Sequence, residues 1–431
     1  MTTAEVFARP VAVPVSAEPP APVAASAAVR FLGKESDYWR LRIKGAALVM
    51  ATLGLYRFWL ATDVRRFLWS NTEIAGDTLE YNGLATELLL GFLLAVAILV
   101  PLYMAFAVAA LADTVTLLSV TLGVSLIAYL VEFARYRARR YRLTRTVFRG
   151  VRFDQHGRAW NYALRALGWW ALAIVTLGLA YPWAQASLQR FKLRNTCYGD
   201  LPGRFDGSAW ALFLRGLPIW LLVVGPLVIA VAVLGALIDW DRLSDVMTKG
   251  DDDATAEFMG TLVGPGLDTA LVALATSMAS LALLYPLFQA VMLRWWISGL
   301  RFGEMTVTSR LRTGEVYRVY RRFALYLLLF VALAVGAGIG CLYLARFLLR
   351  AAHDANLAGL AASAITVLLY VVVGLGASTI YQVVVTAGLW RLGAQSAALS
   401  GAQALDNVRA DGAASSALGE GLADALGVGG I

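Results

Sequence analysis

The folds open to this chain are limited most by a series of apolar runs, each about as long as a bilayer is thick. They lie near 84–108, 111–133, 160–183, 209–238, 267–290, 324–345 and 361–388, with a weaker run at 43–61 interrupted by Lys44 and Arg57. A spanning helix needs roughly 20 mostly apolar residues. These runs are continuous and lack the alternation of a membrane barrel strand, so an all-α, polytopic helical membrane protein is expected. The composition agrees, since 59% of residues are hydrophobic and the mean hydropathy is +0.66, outside the range of soluble domains. A net charge of +8 invites a nucleic-acid reading. Basic residues beside membrane helices, however, normally set orientation and meet anionic headgroups, so membrane lipid is the expected partner and nucleic acid is not. Cys197 and Cys341 lie far apart in unlike segments, which suggests neither a disulfide framework nor a metal site.

Sliding the chain by about 124 residues aligns "TLGLYRFW" at 52–59 with "TLGLAYPW" at 176–183, and pairs Asn71-Thr72 with Asn195-Thr196. A shorter unit recurs more often: a basic and an aromatic residue, then about five residues to Thr or a substitute, then Gly. Its copies are "RFLWSNTEIAG" (66–76), "RYRLTRTVFRG" (140–150), "RFKLRNTCYG" (190–199) and "RWWISGLRFG" (294–303), with a degraded fifth at "WRLGAQSAALSG" (390–401). Each follows an apolar run. Arg and Lys stems lie along lipid while their heads reach water, and aromatics favour the same depth, so the unit reads as a membrane-exit anchor followed by a turn. "LEYNG" and "GRFDG" add a short extended piece ending in a turn signal. Arg66, Asn71, Thr72, Arg140, Thr146, Arg190, Asn195, Thr196, Arg294 and Gly303 are the interfacial residues of this motif. A lipid-headgroup or ligand site built from them is the sharper alternative to a plain anchor.

Charge decides between two topologies. Eight full spans would send the arginine-rich stretch 135–158 to the outer side. If the two TLGL segments instead dip into the bilayer and return, every basic cluster except Arg242, Lys249, Arg346 and Arg350 falls on one side, with Arg165 and Arg215 inside apolar segments. The positive-inside rule favours six full spans plus two Gly/Pro-broken, re-entrant segments, with both termini cytoplasmic. Gly54, Gly178 and Pro182 mark the breaks, and Arg165 is the intramembrane cation beside them. Broken segments in matching positions point to a transporter site and predict a polar cavity near these residues. The acidic loop 239–257 lacks spaced metal ligands and reads as solvated.

The organisation expected is a Pro/Ala-rich disordered tail (1–29), a first membrane repeat (30–151), a second (152–310), an additional helix pair (311–390) and a cytoplasmic C-terminal tail (391–431). The tail 1–29 has no uninterrupted apolar core, so a cleaved signal is not expected.

The phrases "FLGKESDYW", "TLGLYRFW", "TLGLAYPWA", "RFKLRNTCYGDLPGRFDG" and the terminal "LGEGLADALGVGGI" resemble the YjgN-like bacterial inner-membrane proteins, a family of unknown function, over roughly residues 30–431. The first copy departs from the pattern, with Arg57 and Phe58 where the second has Tyr181 and Pro182. The resemblance implies location and architecture, with no reaction to carry over. His156 and His353 fall on different segments, and no nucleophile-base pair or phosphate loop is present in the sequence. The chain is therefore expected to be a non-enzyme without cofactors: a transporter or channel for a small solute, or a non-transporting scaffold or envelope-homeostasis factor. The scaffold's basic cytoplasmic face would bind anionic lipid or a protein partner.

Overall fold

Each exit unit is the end of a helix joined to a β-hairpin of three plus five residues. In the computed structural model, which describes residues 27–111, 117–238, 240–241, 244, 248, 265–352, 355–406, 408–410 and 416–428, β2 (Thr72–Ile74) and β3 (Asp77–Tyr81) pair around Ala75-Gly76. The hairpin recurs as β4 (Thr146–Phe148) with β5 (Val151–Gln155) and β6 (Thr196–Tyr198) with β7 (Leu201–Phe205). It recurs again as β8 (Leu300–Phe302) with β9 (Met305–Ser309). At Ala75-Gly76 and Arg149-Gly150 both turn residues have positive φ, the geometry whose twist matches that of paired strands.

A fifth hairpin has no turn at all. It is made from opposite ends of the chain, β1 (Ala27–Phe31) and β10 (Ala397–Ser400), with Ala27 opposite Leu399 as Asp77 is opposite Ile74. The ten strands close into a barrel in the order β1-β10-β9-β8-β7-β6-β5-β4-β3-β2. Alternate side chains point inward, and Val29, Leu79, Tyr81, Phe148, Tyr198, Met305, Val307 and Leu399 share one buried cluster. Leu405, on the short 3-10 turn Ala402–Leu405 that follows β10, joins the same cluster.

Helices leave and return between these strands. The pairs are α1 (Glu35–Ala51) with α2 (Arg57–Ser70), α3 (Ala85–Leu111) with α4 (Leu117–Thr144), and α5 (Ala159–Val175) with α6 (Tyr181–Arg194). They continue with α7 (Ala209–Leu237) and α8 (Pro265–Gly299), then α9 (Thr313–Ala352) and α10 (Ala355–Ile380). The last helix passes through a π-helical turn, Tyr381–Thr386, into α11 (Ala387–Ser396). A short α12 (Leu418–Ala425) ends the described chain. Every pair starts after one strand of the barrel and ends before another, so all exit units stand on the same rim.

Two expectations are corrected here. The protein is not all-α, because the exit units build a closed ten-stranded barrel; strands of three to five residues are too short for their alternation to stand out between long apolar runs. Six full spans are not found either. Among the described residues five helical stretches are long and apolar enough to cross a membrane: Ala85–Ala105, Ala209–Leu237, Gly266–Gly299, Thr313–Phe347 and Gly359–Ser396. The count differs at 111–133, where 112–116 lie outside the described residues and α4 becomes charged after Val131.

The TLGL segments are turns that satisfy their own backbone. Thr52 Oγ1 donates to the Leu48 carbonyl and accepts from the Tyr56 amide, while Gly54 N–H reaches back to Val49 O at 2.8 Å. Thr176 and Gly178 repeat this with Leu172, Ala180 and Ala173. This six-to-one closure with a left-handed glycine is a Schellman-type helix end, and Gly54 and Gly178 have φ of +95° and +92°. Pro182 then opens α6, where its missing N–H costs nothing. The chain thus reverses at 52–56 and 176–180 with few orphan polar groups, a requirement for irregular backbone away from water. Residues 1–26, most of the acidic loop and His353 lie outside the described residues.

Candidate functional site

The exit motif braces the rim. Thr72, Thr146 and Thr196 each open a short strand, and each hydroxyl donates to its own helix, to Leu68, Arg142 and Lys192 carbonyls at 2.7–2.8 Å. Each also accepts from a neighbouring unit: Trp390 Nε1 to Thr72, Trp69 Nε1 to Thr146 and Arg139 to Thr196. Asn71 and Asn195 cap the preceding helix through the Phe67 and Phe191 carbonyls. Arg66 and Arg190 reach the carbonyls of Gly83 and Gly207, and Arg294 reaches Thr313 Oγ1, so each ties an exit helix to the start of the next outgoing one. Arg140 is partly buried, and its Nε finds no partner among the described residues. Gly303 turns the fourth hairpin with φ of +53° against Leu201.

The remaining sequence-derived residues are scattered. Gly54 has open space around it, and the turn tip residue Leu53 is 95% exposed. Gly178 and Pro182 border an apolar groove of about 410 Å³ walled by Leu212, Phe213, Trp220, Leu284 and Phe288. Arg165 lies on an exposed face with its guanidinium over the Phe191 ring. Among the described residues, Gly54, Gly178, Pro182 and Arg165 do not line a common polar cavity.

A polar chamber lies elsewhere, between α1, α2, α3, the π-helical turn and α12. It has a volume of about 180 Å³ and is lined by Arg42, Arg57, Arg65, Gln382, Glu420 and Asp424, with Phe58, Val64 and Leu88 as apolar wall. Their placement follows from local structure. Arg57 and Arg65 lie two turns apart on α2, and α4 adds Arg142 behind Glu420. Arg65 pairs with Glu420, both nearly fully buried, and Arg65 also donates to Tyr81 Oη at 3.1 Å. Arg142 lies 3.5 Å from Glu420, and Arg57 lies 3.0 Å from Asp424. Burial raises the Asp424 carboxyl against the lowering pull of Arg57. Among the described residues, Arg42 Nε, Gln382 Oε1 and Glu420 Oε2 find no hydrogen-bond partner.

α12 reaches the chamber by wedging between α3 and α4. Its glycines permit this: a Cβ on Gly421 would overlap the Gly91 backbone, and one on Gly419 would overlap Arg137. A Cβ on Gly91 would in turn lie 2.5 Å from the Ala417 carbonyl oxygen. Ala423 packs without exposure against Ala134 and Ala138 of α4.

Beside the chamber, on the α4–α6 side, Lys192 faces Arg139, Glu132, Arg135 and Arg142. Burial, then the neighbouring Arg139, pushes its ammonium down to about 8 against the opposing pull of Glu132. The sequence reading missed Arg42, Arg65, Arg142, Gln382, Glu420 and Asp424. A usable signal was present in "LGEGLADA", where a carboxylate flanked by glycines faces a chain rich in arginine.

A family model described as a bacterial protein of unknown function (DUF898) matches residues 26–425. No curated protein and no solved structure matches the chain.

Proposed function

Because the chain belongs to this bacterial family of unknown function, which agrees with the YjgN-like resemblance and supplies no reaction, we propose a role from the geometry alone. The protein is a non-enzymatic, non-transporting scaffold of the bacterial inner membrane. Its barrel and termini are cytoplasmic, and its basic rim holds anionic lipid.

The observation that carries this reading is the barrel interior. The cavity of about 340 Å³ left between strands and helix ends is walled almost wholly by apolar side chains such as Phe302, Trp296, Trp390 and Leu405, and the hydroxyls of Thr72 and Tyr198 on its wall are already hydrogen-bonded within the protein. A polar solute following the axis would lose its hydration without replacement hydrogen bonds. Outside, Lys34, Arg158, Arg194, Arg310 and Arg312 are exposed where strands meet helices, the depth at which cations meet phosphate. Placing that rim in the cytoplasm satisfies the positive-inside rule. The short TLGL hairpins then dip into the bilayer, with α1 reaching about 25 Å at the usual rise per residue.

The test is lipid retention. The full chain is assembled in nanodiscs of phosphatidylglycerol and phosphatidylcholine, released, and its bound lipids are weighed by native mass spectrometry. Phosphatidylglycerol should be enriched over its bulk fraction, and the enrichment should fall in Arg158→Gln/Arg312→Gln and as salt rises. Retention at the bulk ratio, or solute flux in proteoliposomes, refutes the reading.

A further inference from the structure

We propose that the arginine chamber is a binding site for a single phosphate-bearing anion and that α12 is the element that closes it. This rests on the anionic-lipid reading above and deepens it by naming one site and its gate.

Charge is the first argument. Arg42, Arg57 and Arg65 face Glu420 and Asp424 across the chamber, with Arg142 behind Glu420, so four guanidiniums meet two carboxylates and the balance is positive. A phosphodiester supplies one negative charge and several acceptor oxygens, which is what guanidinium forks bind best.

Unsatisfied groups are the second. Arg42 Nε and Gln382 Oε1 are buried atoms without a partner among the described residues, and such groups are costly unless something fills the site. The Gln382 amide can be turned end for end, which aims its NH2 at the chamber as a further donor. Gln382 sits in the one π-helical turn among the described residues, a distortion that recurs at functional sites because it re-aims a side chain.

Size and access agree. A volume of about 180 Å³ accommodates a phosphate group with a few waters, each of which takes about 30 Å³. The Arg57 and Asp424 side chains are 42% and 36% exposed, so the chamber opens to the surroundings beside that pair.

The tail competes for the same guanidiniums. Glu420 holds Arg65 and Arg142, and Asp424 holds Arg57. α12 has only eight residues, too few to be stable without its docking contacts. An arriving phosphate therefore displaces Asp424 from Arg57 first, and release of Glu420 opens the chamber fully.

The experiment is calorimetric titration of the full chain in non-ionic detergent with dihexanoyl phosphatidylglycerol and, separately, inorganic phosphate. One-site binding is expected. It should weaken at least tenfold in Arg42→Gln and in Arg57→Gln, tighten severalfold in Asp424→Asn, and stay unchanged in Arg204→Gln on the exposed outer face of β7. Tighter binding of the lipid assigns the anion to a lipid headgroup, and equal or tighter binding of phosphate assigns it to free phosphate; either outcome supports the site. Thermal melts and gel filtration identify variants that misfold, and Asp424→Asn, which predicts a gain, guards against reading a misfolded loss as support. Binding unchanged in both chamber variants, or lost in Arg204→Gln alone, overturns the chamber while leaving the rim reading intact. A wild type that binds neither probe also overturns the chamber, and the nanodisc retention then decides the rim by itself.

Discussion

Replacing Gly421 by alanine should lift α12 partway from α3 without substituting any charged residue. The glycine backbone lies directly on Gly91 of α3, and a methyl group there would overlap the Gly91 carbonyl group and the Phe92 amide. Backbone cannot move aside as a side chain can. Restoring a non-bonded separation of about 3.5 Å requires α12 to retreat by roughly 1.5 Å. That retreat would stretch the Glu420–Arg142 approach from its present 3.5 Å to beyond ion-pair range. Overpacking of this kind costs about 1–3 kcal/mol. Losing the pairing altogether would cost about 3–5 kcal/mol, so lifting the helix partway is the cheaper response. Hydrogen exchange reads the difference, because local opening sets the protection of a docked helix. A peptide covering 416–428 should exchange about 5–150-fold faster in Gly421→Ala, the factor equivalent to that energy. Peptides from the hairpin at 72–81 should be unchanged. Equal exchange of 416–428 in both proteins would refute the close-contact argument, and deprotection of the barrel as well would mean that α12 is no separate unit.

Three further outcomes follow from packing, backbone and charge. Leu405→Ala removes a buried side chain from the barrel cluster and should destabilise the protein by about 2–5 kcal/mol, read as a lowered denaturation midpoint in detergent. Gly178→Ala forces a residue with a Cβ into φ of +92° and should cost about 1–2 kcal/mol, whereas alanine at Gly168, a helical glycine with open space around it, should cost nothing; similar losses at both would contradict the turn reading. Lys192, whose folded pKa is pushed down to about 8 from 10.5, binds fewer protons folded than unfolded between those values. Stability should therefore rise with pH from about 8 to 10.5, and thermal melts of Lys192→Met should lack that increment.

The exit units were legible because their chemistry is local. A cation, an aromatic, a hydroxyl and a glycine at fixed spacing reported a helix end and a turn, and Thr72, Thr146 and Thr196 occupy equivalent places. That the units join each other was not legible. A three-residue strand such as Thr72–Ile74 has no periodicity of its own, and its partners include β1, whose Phe31 stands opposite Thr72 from the far side of α1 and α2. The TLGL phrases were noticed as breaks, but glycine alone does not distinguish a turn from a cavity wall. The threonine hydroxyl that accepts the next amide makes the turn self-sufficient. Arg165 was read as an inward cation because its segment is apolar, yet it covers an aromatic on the outer surface. Glu420 and Asp424 were overlooked for the opposite reason: a short tail helix carries no period long enough to show which face is buried, and only its contact with α2 and α4 gives the carboxylates a role.

The seam between β1 and β10 turns the barrel into a length gauge for synthesis. Ala27 and Leu399 pair across almost the whole chain, so four hairpins can form as they emerge while the ring stays open until the last helix has been threaded and Ser400 is free. Until then β1 and β9 are bare edges, the feature that invites pairing with other chains. Ribosomes stalled before that point would leave a nascent protein with its membrane helices in place and two sticky edges exposed. Completion of the fifth hairpin is the step that makes the molecule self-contained.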